Sequence, residues 1–142
     1  MNTPALALIA ALGLAAAAHA AGPDPVQGEW LTPSGSAKVR ISPCADKVCG
    51  TIVWLKAPLT PDGKPKTDAN NPDPNLRQRP VVGMQLIRDF KAAQGKWVDG
   101  KIYDPQSGKT YASKLTPNPD GTLKVEGCIS VICQAQTWKR AN

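Results

Sequence analysis

From Val26 onward, apolar and polar residues alternate in short runs bounded by turn residues, the period-two pattern of half-buried strands. Ala37-Lys38-Val39-Arg40-Ile41-Ser42 is the clearest run: Ala37, Val39 and Ile41 take one face, Lys38 and Arg40 the other. Val26 to Leu31 reads as a strand before it, ended by Pro33-Ser34-Gly35. Val48 to Leu55 is more uniformly apolar, as expected of a strand with little exposed face, and residues 43–47 join it to its predecessor as a hairpin. A second hairpin spans residues 96–104 and 109–116, turning at Pro105-Gln106-Ser107-Gly108. Asn118-Pro119-Asp120-Gly121 is the next turn, and Leu123 and Val125 then alternate with Lys124 and Glu126. The chain closes with Cys128 to Cys133 and Gln134 to Arg140.

Two stretches break this rhythm. Residues 56–80 carry six prolines and almost no apolar side chain. Proline cannot donate to a strand ladder, so this is expected to be a long surface loop, either a solvated connector or a functional segment. Residues 81–87 resume apolar character. Met84, Ile87 and Phe90 also have helical spacing over 81–93, but Val81-Val82-Gly83 is a poor helix start, and a strand is expected.

Eight or nine short strands joined mostly by tight turns predict an all-β domain, a small antiparallel up-and-down β-barrel. Closure removes the exposed edges that invite aggregation. A two-sheet β-sandwich is the runner-up. The length, 142 residues, suits one domain and excludes a dinucleotide fold with a separate substrate domain. Twelve Gly and 14 Pro favour turns over long helices.

Residues 1–20 read as a signal peptide. An apolar run from Ala5 to Ala18 ends in Ala18-His19-Ala20, a small-x-small cleavage pattern, although the segment before it has no Lys or Arg. The run is short for a bilayer span. The expectation is a periplasmic or secreted domain over residues 21–142. Cleavage would remove His19, the only histidine, and with it Ser-His and Cys-His nucleophile pairs. The four cysteines have two identical spacings, Cys44 to Cys49 and Cys128 to Cys133. In an exported chain they read as disulfides, with the local pairs favoured over crossed ones. A four-thiolate zinc site is the alternative, and an oxidising compartment argues against it.

Other clusters carry weaker chemistry. Asp68, Asn70, Asn71 and Asp73 suggest a calcium loop, but Pro72 and the missing Gly and Glu break that pattern, and turn chemistry explains them. No cofactor or metal is expected. Arg77 and Arg79 flank Gln78; an extended segment would put both guanidiniums on one side for a carboxylate or phosphate, the alternative being pairing with Asp68 or Asp73. Tyr103, Asp104, Ser107, Lys109 and Tyr111 gather at one hairpin turn, where an Asx turn at Asp104 is expected. Trp30, Trp54, Trp97 and Trp138 are expected mainly in the core. Lys and Arg total 17 against 11 Asp and Glu, a net charge of +6, but they form no basic run and nucleic-acid binding is not indicated. The excess favours anionic headgroups or an acidic ligand.

Gly28-Glu29-Trp30 on the first strand and Trp138-Lys139-Arg140 on the last together resemble the calycin pattern of lipocalins and fatty-acid-binding proteins. That resemblance implies a barrel whose first-strand Trp lies at the closed end with a basic side chain across the indole. Here those residues are Gly28, Trp30 and Arg140, and such a cation–π contact contributes roughly 0.5–2 kcal/mol. The chain is shorter than most lipocalins, and it lacks their second motif. Over its mature length it also resembles a bacterial exported family known as domain of unknown function 2147. The segments that carry this are GEWLTPSGSAKVRISPC, CGTIVWL, NPDP with RQRPVVG, GKIYDPQSGKTY and TWKR. That resemblance implies a small exported domain and no activity.

The expected function is non-catalytic binding of a small apolar or amphipathic anionic, lipid-like ligand, with Trp54, Arg77, Arg79 and Tyr103 as contacts. One alternative is a structural or interaction protein of the envelope, meeting a protein partner through the 56–80 loop. A second is a carboxylate-based hydrolase using Asp104 with Asp99 or Asp73.

Overall fold

A computed structural model describes residues 24–141; the leader reading of residues 1–20 lies outside them. Eight strands follow in chain order: β1 (Gly28–Leu31), β2 (Ala37–Cys44), β3 (Lys47–Leu55), β4 (Gln85–Ala93), β5 (Lys96–Asp104), β6 (Lys109–Pro117), β7 (Leu123–Ile129) and β8 (Ile132–Arg140). Each pairs antiparallel with the next, and β1 returns to β8 to close the barrel. The up-and-down barrel is therefore the observed architecture, not the sandwich.

The structure adjusts several boundaries. The first strand starts at Gly28 rather than Val26. The 81–87 strand is displaced to Gln85–Ala93, and neither it nor the rest of 81–93 is helical. Backbone bonds from Gly83 N to Ile52 O and from Ile52 N to the Met84 carbonyl bring the end of the long loop onto β3. Alternation is interrupted on β4 and β5 at Asp89 and Asp99, which adopt left-handed φ of 67° and 57°; on β5 the ladder shifts register between Trp97 and Gly100. The β4–β5 turn uses Gln94 and Gly95, both with positive φ (51° and 78°), the geometry that matches strand twist in a two-residue hairpin.

The up-and-down order gives the barrel two unlike ends. At one end lie Pro25 to Gln27, the β2–β3, β4–β5 and β6–β7 turns, and Arg140. At the other lie the β1–β2 turn with a short 3-10 helix η1 (Pro33–Gly35), the 56–84 loop, the β5–β6 turn and the β7–β8 turn. Disulfides pin one hairpin at each end, Cys44–Cys49 at the first and Cys128–Cys133 at the second.

The first end is sealed. Trp30 is fully buried, opposite Arg140 in register, and its indole N–H donates to the Val26 carbonyl at 2.8 Å. The Arg140 guanidinium lies 4.0 Å from the Trp30 ring centroid and donates to the carbonyls of Gln27 and Pro25. A Cβ at Gly28 would collide with that guanidinium, and Gly28 has φ +120°, so glycine is required there twice over. Behind this seal Val39, Ile41, Val48, Ile87, Phe90, Leu115 and Trp138 fill the interior. Each such side chain contributes about 1.5–3 kcal/mol by burial. Two glycines make room for them: the Phe90 ring occupies the space a Cβ would take at Gly100, and a Cβ at Gly50 would lie 2.6 Å from Ile87 Cγ1.

Candidate ligand site at the open end of the barrel

The 56–84 loop is held by a buried carboxylate. Asp68 is fully buried. Its Oδ1 accepts from the Tyr103 hydroxyl at 2.6 Å; its Oδ2 accepts from Asn71 at 2.8 Å and from two Arg79 nitrogens at 2.9 and 2.8 Å. Burial pushes the Asp68 carboxyl up, but the hydrogen bonds from Tyr103, Asn71 and Arg79 and the Arg79 charge outweigh it and hold the group below the usual carboxylate range. Burial first, and then the Asp68 carboxylate, push the Tyr103 phenol up to about 12. Asn70 reaches the Pro105 and Gln106 carbonyls, and its own carbonyl lies where a Cβ at Gly108 would be, so the loop also sits tightly on the β5–β6 turn.

This arrangement disposes of the extended reading of 77–80. Residues 74–76 form a 3-10 helix capped by Asp73, and Arg77 and Arg79 follow it in a turn. Arg79 is engaged with Asp68 and lies 5.8 Å from the Tyr103 ring centroid. Arg77 donates to the Asn71 carbonyl at 2.8 Å. Arg77, Arg79 and Tyr103 are thus brought together around the loop. Trp54 stands apart on the outer wall, 40% exposed, with Lys38 5.1 Å from its ring centroid. Trp30 and Trp138 are core, while Trp97 is partly buried. Asp104 commits both oxygens to its own turn, accepting from Gln106 N and Ser107 Oγ. At about 3.3 Å per residue, Asp99 lies about 17 Å from Asp104 along β5. Among the described residues no cluster of His, Cys, Asp or Glu could hold a metal.

The interior of the second end differs from the sealed half. On β8 the inward positions alternate from Trp138 to Gln136 and Gln134, and both glutamines are exposed, whereas Trp138 is buried. Gln136 lies on the Trp138 side of the strand, since its Oε1 accepts the Trp138 indole N–H at 3.1 Å. On the neighbouring strands, where Gly127 pairs with Gln134, a Cβ at Gly127 would sit 3.8 Å from both Ile102 Cγ2 and Tyr111 Cβ, so these three positions share the interior. Ile102, Tyr111 and Gly127 are half-buried. Inward-phase residues that meet solvent mark this end of the barrel as open above Leu115, Val125 and Trp138, with Ile129 and Ile132 exposed at its rim. Two other clefts lie away from it. One of about 290 Å³ is at the sealed end beside Trp97, and one of about 250 Å³ lies between η1 and β8.

The polar groups at this opening can donate hydrogen bonds as well as accept them. With its Oε1 taken by Trp138, Gln136 has its NH₂ free, and Gln134 and the Tyr111 hydroxyl have no side-chain partner among the described residues. These positions were not singled out as contacts from the sequence, except Tyr111 as part of a turn cluster. The available signal was Gln134 and Gln136 in phase with Trp138 on one face of the last strand.

Residues 28–140 match the family described as "Uncharacterized protein conserved in bacteria (DUF2147)". The chain belongs to that family. The DUF2147 barrel is also similar to a solved structure, protein HP1028 from the human pathogen Helicobacter pylori, which is described as belonging to the lipocalin family. Identity is 24%, 82% of each chain is covered, and the TM-score is 0.70. That likeness shows the fold, a lipocalin-like barrel. None of the curated proteins matches this DUF2147 chain.

Proposed function

We propose that this DUF2147 protein is an exported, non-catalytic binding protein that takes a small amphipathic ligand in the open half of its barrel. The observation that carries this reading is the pair Gln134 and Gln136, which face inward yet stand in solvent beside an apolar floor. A ligand tail would cover Ile102, Tyr111 and the rim residues Ile129 and Ile132. Its acceptor head, a carboxylate or carbonyl, would take the glutamine N–H groups. The lower half is filled with side chains, so the ligand enters by about half the barrel's depth and is not enclosed as in a deep container. The basic loop residues Arg77 and Arg79 act as loop ties rather than ligand contacts. Two disulfides and the leader-like pattern of residues 1–20 support export.

The test is a titration of the delipidated protein with a medium-chain fatty acid and its uncharged alcohol, followed by tryptophan emission. Saturable binding of the acid is expected. Gln136→Leu should weaken it about tenfold, the equivalent of about 1.4 kcal/mol and one charged hydrogen bond. Absence of saturable binding, together with no co-purified small molecule in native mass spectrometry, refutes the proposal.

A further inference from the structure

The barrel seam is paired over a short stretch only. β1 meets β8 at Trp30–Arg140 and Leu31–Lys139, and the ladder stops there. The bond from Ala141 N to Glu29 O at 2.9 Å sets the phase: odd-numbered residues of β8 aim their N–H and C=O toward the β1 side. The backbone groups of Cys133 and Ala135 therefore face outward along an edge that no described strand covers. Such an edge is normally defended by Lys, Pro or a bulge. This one is not: the uncharged run from Gly127 to Trp138 is the longest in residues 24–141 and contains no proline.

The same edge carries a knob and a hole. Val131, at the disulfide-braced hairpin tip, is 92% exposed. Lower on the strand, Thr137 and Lys139 line the cleft of about 250 Å³ with Leu31, Pro33 and Gly35. Val131 and Thr137 are equidistant from Gln134. A two-fold axis through Gln134 sets Cys133 of one copy opposite Ala135 of the other, which are the residues whose outward groups lack partners. It also sets Val131 of each copy level with Thr137 of the other, at the mouth of the cleft. No charge faces its own image across such an axis, because none is present in the run.

We propose that the protein forms a two-fold dimer by antiparallel pairing of β8 with β8 of a second copy, with each Val131 seated in the other copy's cleft between η1 and β8. The interface is isologous, and its two halves are each supplied by both copies. It does not depend on the proposed ligand site.

Sedimentation of the ligand-free protein tests this, with two variants. Val131→Asp removes the knob at a position that bears no packing in the monomer. Ala135→Pro removes a backbone donor that the monomer leaves unused. The unaltered protein is expected to sediment as a dimer at about 100 μM, and each variant to raise the dimer dissociation constant at least tenfold while the thermal midpoint of the dilute, monomeric protein stays unchanged. A monomer at that concentration overturns the proposal. So does a dimer that both variants leave intact, or one that Val131→Asp alone leaves intact should Ala135→Pro not fold.

Discussion

Replacing Tyr103 by Phe isolates the tie between the long loop and β5. The hydroxyl donates at 2.6 Å to Asp68 Oδ1, which has no other side-chain partner among the described residues, and Asp68 is fully buried. Phe keeps the ring and its contact with Arg79 but leaves a buried carboxylate oxygen without a donor. A hydrogen bond to a charged group contributes about 1.5–3 kcal/mol, so Tyr103→Phe should destabilise the fold by that amount. For a domain of this size about 1 kcal/mol corresponds to about 4 °C, which places the thermal midpoint about 6–12 °C lower. In an Asp68→Asn background the acceptor is neutral, and the same change should cost only about 0.5–1.5 kcal/mol. Denaturant unfolding of the four proteins measures both values and their coupling. A midpoint shift below about 2 °C, or equal costs in the two backgrounds, would refute the view that this bond anchors the loop.

The same network sets the pH limits of stability. The folded pKa of Asp68 lies below its unfolded value, so its contribution is present above that value and fades as pH falls through the folded pKa. Tyr103 is raised to about 12, so its contribution is complete below about pH 10 and is lost as pH climbs through 12; unfolding midpoints across pH 2–12 check both arms, and in Tyr103→Phe the alkaline arm should flatten. Arg140→Met should cost about 1–3 kcal/mol through loss of the contact with Trp30 and of the donors to Gln27 and Pro25, read as a lower denaturant midpoint. Gly100→Ala should cost about 1–3 kcal/mol, because its methyl needs the space of the Phe90 ring, whereas Gly63→Ala meets no neighbour and loses only what its positive φ imposes. Reduction of both disulfides should lower stability by no more than about 3 kcal/mol each without abolishing folding, since each closes a short loop; circular dichroism with and without reductant measures it.

What the sequence made legible follows from range. Ala37 to Ser42 and the hairpin over 96–117 declare themselves because alternation and turn residues are local signals. β4 lies C-terminal to the expected 81–87 strand because the bulge at Asp89 breaks its alternation and because Val81 and Met84 are apolar without belonging to a strand; they enter the core from the loop. Trp30 and Arg140 were legible as a pair only through a pattern spanning both chain ends. The Asp68 tie is half legible: Arg79 lies 11 residues away, near enough for the sequence to suggest the pair, but Tyr103 lies 35 away and nothing local links the two. The open end was hidden for another reason. Gln134 and Gln136 look like solvent-facing strand residues until β1 is seen to be too short to cover them.

The sealed end brings residue 25 and residue 140 within one hydrogen bond of each other, and Ala141 bonds to Glu29. A brief peptide joining 141 to 24 therefore turns the chain into a ring without bending any strand. New termini can then be cut at Gly63, a solvent-exposed turn with nothing against it. In such a permutant the two rungs that now hold the first strand to the last become internal to a continuous hairpin, and the cylinder no longer relies on its own ends to stay shut.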